Sequence, residues 1–556
     1  MKYQIFFCSF VSLFSLQTLI AETVNIPAGK FGIDANKKLV VVNQNVSQLN
    51  ENYPQSKTAI SLNGALFTWN TPPANLSIGT AYAVKSAENV AYTLYFSELP
   101  LVQLTVSETI KDDPKVPGSI VISQNTSDSV LSENIGIELR GATAQTYPKK
   151  SYRFEFKDTT KNINKDIAVM GMHADDDWNL QALYIEPMRI RSKTGFDLWL
   201  RINSLHYQSE EPEAASGPLH KFVELFLNGK YEGVYCIGEP VSRKLLKLKK
   251  YNILDGMRGE LYKGVEWGSG AVTFTALPSY TNGSLTWDGF EFVYPDEIAS
   301  IWTNLYNFVD FVKNATDANF YADYATKFNL QNAVDYYLFF NLIYAFDNKG
   351  KNIFIAKQTT NKAYFYVPWD LDGICGIHWN GIKEGNIDTL LTNGMYDRLM
   401  RNKPDGSSDF KSLLKQKWNT LRESWLTTDS LFAMFRNNYD YLNNSAVYAR
   451  EQKTGYTNYL DVNGLSYLSD WISHRLNYLD EKFNAYQDPT SAIANRQITG
   501  AGIVEVYDIY GILRRRQTIE NQNWASAAEA LPQGVYILRI ADMKQLDKQI
   551  IKKIVK

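Results

Sequence analysis

Asp347 and Asn352, with four residues between them, and Asp370 with Asp372 further along are the side chains in this 556-residue chain whose types and spacing suit phosphoryl transfer. The stretch Asp347-Asn348-Lys349-Gly350-Lys351-Asn352 closes the apolar run Tyr336 to Phe346. Pro368-Trp369-Asp370-Leu371-Asp372-Gly373 follows the strand-like segment from Ala363 to Val367. In such an arrangement the first carboxylate accepts the proton of an acceptor hydroxyl. The carboxamide and the later carboxylates hold a magnesium ion against the phosphates. Hard oxygen donors suit Mg²⁺, which keeps several waters and needs few protein ligands. Asp and Asn also crowd ordinary loops, and three aspartates would serve a metal-dependent hydrolase as well. The reading therefore depends on what the rest of the chain places around them.

The elements upstream are strands. Ile135 to Gly141 is one, and Pro148 to Phe156 is another in which Tyr152, Phe154 and Phe156 alternate onto one face. Lys150 shares their parity, so it is expected to reach phosphates bound beneath the sheet; a pair of solvated strand-end lysines is the alternative. Ile185 to Leu200 reads as a helix with Pro187 in its first turn, and its Glu186 or Arg191 could hold the lysine or a phosphate. Val223–Leu227, Asn228-Gly229 and Tyr231–Ile237 form a hairpin with Asn-Gly at the turn. Glu239 and Pro240 end that hairpin where a hinge between lobes would lie, and Glu239 is counted with the nucleotide-binding candidates. After Pro295 the pattern turns helical. Ile298 to Val312 follows helical spacing, and Leu330 to Phe346 is apolar all round, as a central buried helix would be. Helical segments also run from about Phe410 to Asn437 and from Leu465 to Tyr486. Strands first and helices second is the layout of a two-lobed kinase.

The ends of the chain differ from this middle. Lys2 followed by the apolar run Ile5 to Ile20 and then Ala21 reads as an export signal over residues 1–21. A membrane anchor is the alternative, since the run is nearly long enough to span. No comparable stretch follows, so no stable membrane span is expected in the mature chain. Residues 22–98 carry short strands between Asn-, Gly- and Pro-rich turns, as in a small β-sandwich acting as spacer or binding module. The formal net charge of −2 gives no basis for a nucleic-acid partner. Of three cysteines, Cys8 leaves with the signal. Cys236 and Cys375 are expected as one disulfide or two buried thiols.

Residues from about Leu99 to Tyr486 resemble the CotH (spore coat protein H) kinase family. The resemblance rests on Leu139-Arg140-Gly141, Pro148 to Tyr152, Ile185-Glu186 through Arg191, and Val223 to Val241. It continues in Tyr262-Lys263, Asp347 with Asn352, and Pro368 to Asp372. It implies an α+β fold, an atypical protein-kinase-like two-lobed catalytic domain over residues 99–486 flanked by small all-β domains. It also implies use of ATP with Mg²⁺ or Mn²⁺ and phosphorylation of hydroxyl side chains in extracellular or surface proteins. By that resemblance Asp347 is the catalytic aspartate. Asp370, Asn352 and Asp372 are metal ligands, and Lys150 or Lys149 is the phosphate lysine. Ser192 and Glu186 depart from residues the family often carries there. Arg140-Gly141 is the nearest approach to a Gly-rich phosphate loop. Residues 487–556, with Val504 to Gly511, Leu531 to Ile540 and a basic end, resemble the sorting domain of type IX secretion substrates. Together with the leader, this implies a secreted or cell-surface protein that meets the secretion machinery through its C-terminal β-sandwich. The other function class is a non-catalytic surface or binding protein using the same fold, which binding of Mg-ATP would exclude.

Overall fold

The computed structural model describes residues 22–383, 387–403, 408–486, 502–508, 513–519, 531, 535–542 and 549–555. The expected export signal and the polar linker 487–491 lie outside them. The chain falls into two compact units, Met1–Met395 with Trp425–Tyr478 and Tyr396–Ser424 with Leu479–Lys556.

The first unit begins with strands β1 (Glu22–Ile26), β2 (Phe31–Asp34) and β3 (Leu39–Val42), helix α1 (Val46–Asn52), then β4 (Lys57–Leu62), β5 (Ala65–Trp69), β6 (Tyr82–Ser86) and β7 (Ala91–Phe96). They form one seven-stranded sheet, order β1-β4-β5-β6-β7-β3-β2, rather than the two packed sheets of a sandwich. Alternate residues Val40, Val42, Ile60, Leu62 and Leu94 fill its core with Leu49 of α1. Leu39, Val41 and Tyr95 instead pack on Leu101, Phe226 and Tyr231 of the next layer.

That layer comprises β8 (Leu101–Val106), β9 (Val116–Ser123), β10 (Val130–Leu139), β11 (Tyr152–Asp158), β12 (Ile163–Asn164), the small pair β13 (Ile167–Ala168) and β14 (Ala174–Asp175), β15 (Asp177–Gln181), helix α2 (Arg191–Ile202), β16 (His220–Leu227) and β17 (Lys230–Gly238). The sheet order is β10-β9-β8-β16-β17-β15-β11-β12, and β10 also pairs with β11. The strands from β10 round to β11 therefore close on themselves as a barrel, which leaves no open edge among them. Tyr152, Phe154 and Phe156 point into its core with Ile135, Ile137, Trp178 and Leu180, as their alternation predicts. The residues of opposite parity face outward in cross-strand rows, Glu138 beside Arg153 beside Asn179, with Arg140, Ser151 and Gln181 next along. The β16–β17 turn has Asn228 and Gly229 at φ 49 and 74, the left-handed pair that a two-residue hairpin needs.

Helix α2 starts later than its sequence suggests. Arg189 lies in the left-handed region at φ 59, which breaks any helix running through it. The Glu186 carboxylate accepts the N–H groups of Arg191 (2.6 Å) and Ser192 (3.2 Å). It thereby satisfies donors that a helix start leaves open, and Pro187 sits in the turn ahead of the helix.

Helix α3 (Arg243–Leu246), β18 (Glu260–Gly264), β19 (Thr286–Trp287), β20 (Phe290–Tyr294), α4 (Thr303–Asn314), α5 (Asp317–Lys327), α6 (Leu330–Leu342), β21 (Ile353–Lys357) and β22 (Phe365–Pro368) follow. The strands form a five-stranded sheet, order β19-β20-β18-β21-β22; β18, β19 and β20 lie before Pro295 and β22 takes up the strand-like segment ending at Val367, so β21 is the strand that interrupts the part whose sequence reads as helical. Every residue of α6 from Asn332 to Leu342 is buried, as an all-round apolar helix requires. Its Asn332 side chain donates to the Tyr366 carbonyl (3.0 Å) and accepts the Tyr366 N–H (2.7 Å), completing the outer edge of β22. Helix α7 (Gly394–Leu399) straddles the boundary between units, and α8 (Asp409–Ser424) lies in the second. Helices α9 (Thr428–Asn444) and α10 (Val447–Glu451) belong to the first unit, as does most of α11 (Leu465–Asn484).

In the second unit Asp480 accepts from Trp418 Nε1 (2.8 Å) and pairs with Arg422 (2.9 Å), joining α8 to the end of α11. Strands β23 (Gly502–Asp508), β24 (Leu513–Ile519), β25 (Val535–Asp542) and β26 (Gln549–Val555) make one antiparallel sheet, order β24-β23-β25-β26. Val504, Val506, Leu538 and Ile540 are its buried face. Among the described residues there is one sheet here, where a sandwich was expected. Cys236 and Cys375 are free, buried thiols. Among the described residues no helix is long and apolar enough to cross a membrane.

Candidate active site

The residues at the centre of the sequence reading meet because a hairpin closes on itself. Helix α6 ends at Leu342, Tyr344 turns left-handed at φ 51, and Asp347–Lys349 form a single 3₁₀ turn. The β21–β22 register pairs Ile353 with Pro368, so Asn352 and Trp369-Asp370 flank the open end of the hairpin. The Trp369 N–H donates to the Asn352 carbonyl at 2.9 Å. The buried Asn348 side chain donates to the carbonyls of Asn352 (2.7 Å) and Trp369 (3.0 Å), while Tyr336 of α6 donates to the Asn348 carbonyl at 3.0 Å. Asn352 and Asp370 themselves lie at φ 58 and 52. Asn and Asp visit that region more readily than other side chains, and such conformations gather where surrounding structure holds a functional geometry. Asp347, Asn352, Asp370 and Asp372 consequently line one recess, with His378 and Trp379 at its mouth.

The recess opens into a cleft of about 770 Å³. One wall is the outward face of β10, β11 and β15: Glu138, Arg140, Ser151, Arg153, Asn179 and Gln181. The opposite wall carries Lys263 of β18, Phe354 of β21, and Trp369. The Arg140 guanidinium lies 4.9 Å from the centre of the Trp369 ring, a cation–π contact that holds it across the cleft. Glu186 also lines the cleft.

The electrostatics of the acidic end are those of a crowd. Burial lifts the Asp347 carboxyl above its ordinary range, Lys351 offsets part of that, and neighbouring Asp370 adds to it. Burial pushes Asp372 well up, and Asp370, Glu186 and Asp347 push it further. Burial also carries Glu186 to about 7, against the pull of Arg191 and the two N–H groups it accepts. Crowded carboxylates and a carboxamide oxygen at the mouth of a cleft are the donor set of a hard divalent cation. Their mutual repulsion is what such an ion relieves. A tighter acidic group, Asp166, Asp175 and Asp176, lies elsewhere. The Lys244 ammonium bonds all three of its members, so it already has its cation.

Two sequence candidates lie away from the cleft. Lys150 donates its amine to the Gln145 carbonyl at 2.7 Å and does not line the cavity. Strand β11 begins only at Tyr152, so the alternation of Tyr152, Phe154 and Phe156 does not extend back to Lys150. Lys149 lines the cleft instead. Its buried ammonium donates to the Val234 carbonyl (2.7 Å) and to Glu451 (2.6 Å), and stands over the Tyr235 ring at 4.8 Å. Burial depresses it to about 8, while Glu451 resists the shift. Glu239 is also turned away. It accepts the His173 N–H and Nδ1 (2.8 and 2.7 Å) and the Leu219 N–H (2.8 Å). Its neighbours Pro240 and Val241 are the ones that line the cleft.

Glu451 is the residue that sequence reasoning missed. From α10 it binds Lys149, Arg189 Nε (3.2 Å) and the Val234 N–H (2.8 Å), and it is wholly buried. The signal for it was Gly233 within Asn-Gly-Lys-Tyr-Glu-Gly-Val-Tyr. Gly233 sits at φ 93, and a Cβ there would lie 1.9 Å from the Glu451 Oε2. Lys263, quoted in the sequence only as part of a motif, likewise faces the cavity.

A family model described as CotH kinase protein matches residues 137–479, more than half of the chain. A search of curated proteins finds no match. The matched span runs from the last residues of β10 into α11 and takes in both walls of the cleft and its acidic recess. The chain belongs to the CotH kinase protein family.

Proposed function

We propose that this is a secreted, atypical two-lobed protein kinase. It transfers the γ-phosphoryl group of ATP to hydroxyl side chains of extracellular or surface proteins. The observation that carries the reading is the convergence of Asp347, Asn352, Asp370 and Asp372 at one end of a cleft whose walls also bear Arg140, Lys149 and Lys263. Asp347 accepts the proton of the acceptor hydroxyl. Its raised affinity for a proton brings it nearer the range in which a carboxylate works as a general base. Asp370, Asp372 and the Asn352 side-chain oxygen are the ligands for Mg²⁺ or Mn²⁺. When bound, that ion neutralises charge on the phosphate oxygens. Arg140, braced on Trp369, and Lys263 bind the phosphates, with Lys149 behind them holding the wall in register with Glu451. Glu186 holds the start of α2 beside the acidic recess. Export through a leader at residues 1–21 and a C-terminal sorting domain completes the reading.

The test is incubation of the purified protein with γ-labelled ATP and Mg²⁺ or Mn²⁺, with and without protein acceptors. Label should enter the chain or an acceptor. Asp347→Ala should lower the rate by about 10²- to 10⁴-fold without unfolding the protein, because Asp347 lies on a half-buried turn outside the core. Transfer at the parental rate by that variant would remove Asp347 from the reaction. Nucleotide hydrolysis without any labelled protein would point to a hydrolase. No binding of Mg-ATP would leave a non-catalytic surface protein.

A further inference from the structure

The cleft wall contains two buried carboxamides that the roles above leave unused. Asn179 and Gln181 project from the outward face of β15, and both line the cavity. Their residues are only 4% and 5% exposed. The Asn179 side chain has no hydrogen-bond partner among the described residues. Gln181 receives a single long bond from Ser192 Oγ (3.5 Å), and its side-chain N–H₂ is unpaired. Neither residue is among the described residues whose side-chain polar atoms are shut away without a partner, so both amides present unused donors and acceptors to the cleft, where a ligand can meet them.

Position in the sheet says which part of a ligand each one meets. Arg140 is bonded to Ser151 at the acidic end of the wall, and Gln181 lies in that row. Asn179 lies one row further from it, opposite Arg153 on one side and Gly238 on the other. Beyond Gly238 the chain leaves the sheet as Glu239-Pro240-Val241, and Pro240, Val241 and Val293 give this end of the cleft an apolar lining. Arg153 is occupied by Asp177 in a two-pronged pair (3.1 and 2.7 Å). Asn179 is therefore a donor–acceptor pair with no partner among the described residues, one row further than Gln181 from the acidic recess and on the side where Pro240 and Val241 line the cleft.

We infer that Asn179, seconded by Gln181, recognises the edge of an adenine base. The amide oxygen accepts from the exocyclic amine and the amide N–H donates to the ring nitrogen beside it, a two-point match that carboxamides make with adenine. The inference rests on the phosphoryl-transfer reading and deepens it by naming what selects the nucleotide.

A chemical double-mutant cycle on the full-length protein tests it. Dissociation constants are measured by calorimetry for Mg-ATP and for Mg-purine riboside triphosphate, which lacks the 6-amino group, with the parent and with Asn179→Leu. In the parent, loss of the amine should weaken binding by about five- to tenfold. In Asn179→Leu the two nucleotides should bind alike. Because the parent amide is unpaired, the urea midpoint of Asn179→Leu should equal or exceed that of the parent. An equal penalty for the missing amine in parent and variant overturns the inference and leaves the kinase reading standing. So does a variant that loses only affinity for the protein acceptor. Failure of the parent to bind either nucleotide with Mg²⁺ or Mn²⁺ overturns both.

Discussion

Glu451→Gln is the perturbation that tests most directly how the cleft wall is held. The parent carboxylate serves three donors: the Lys149 ammonium, Arg189 Nε and the Val234 N–H. Lys149 and Arg189 share one carboxylate oxygen and the Val234 N–H takes the other, so a glutamine that keeps its oxygen on the two cations loses its charge and sets an N–H₂ group against the Val234 N–H. All the charged groups are fully buried, and removing one partner of such a pair costs about 3–5 kcal/mol. Arg189 cannot shed its proton. It retains the carbonyls of Leu183 (2.8 Å), Glu186 (2.7 Å) and Tyr456 (3.0 Å), so the lower half of that range is expected. Lys149 supplies a second signature. Its folded value of about 8 already lies below the ordinary lysine value, and losing Glu451 lowers it again. Wherever the unfolded chain binds the proton and the folded chain does not, stability rises with pH. In the parent that window opens near 8, and in the variant it opens lower. The variant's deficit should therefore shrink by up to about 1.4 kcal/mol between pH 7 and pH 8. Urea unfolding of the full-length protein at both pH values measures this. A variant within about 1 kcal/mol of the parent at pH 7, or a deficit independent of pH, would refute the assignment of Glu451 as the anchor.

Gly233→Ala places a methyl group where the Glu451 Oε2 now lies, at a φ of 93. It should cost about 2–4 kcal/mol in urea unfolding, and less in a Glu451→Gln background, because the two changes strike one contact. Asp370→Ala should abolish the dependence of nucleotide binding on Mg²⁺ in calorimetry, and an unchanged metal dependence would take Asp370 out of the site. Stability should peak near neutral pH. Burial works against the charged form of His173, but Asp175 and Glu239 outweigh it and lift the ring to about 9, with Lys244 also bound to Asp175. That contribution is full below the unfolded value of about 6.5 and is lost as pH rises through 9, to the extent of about 3 kcal/mol. Burial, aided by Arg140 and Lys193, depresses His220 to about 3, so its neutral-state packing is lost as pH falls below about 6.5. His173→Gln should flatten the alkaline limb of the urea-midpoint profile alone, and equal slopes in parent and variant would contradict the pairing.

What the sequence determined by itself is local. The Asn228-Gly229 turn, the inward alternation of Tyr152, Phe154 and Phe156, and the wholly buried α6 follow from backbone periodicity and from the residues that left-handed turns require. The meeting of Asn352 with Asp370 is also local, since a strand that returns on its neighbour must bring its two ends together. Tertiary structure decided the rest. Whether Lys149 or Lys150 faces the cleft depends on where β11 begins, and the β10–β11–β15 pairings set that start. Glu451 reaches Lys149 across 302 positions, and no periodicity extends that far; only the missing side chain of Gly233 left a trace of it. Glu239 and Pro240 are adjacent in sequence, yet one binds His173 behind the wall and the other lines the cavity. Likewise Asn179 reads as one polar residue on a short strand. Only closure of the barrel aims its unpaired amide into the cleft, because the direction of an outward-facing side chain acquires meaning once something stands opposite it.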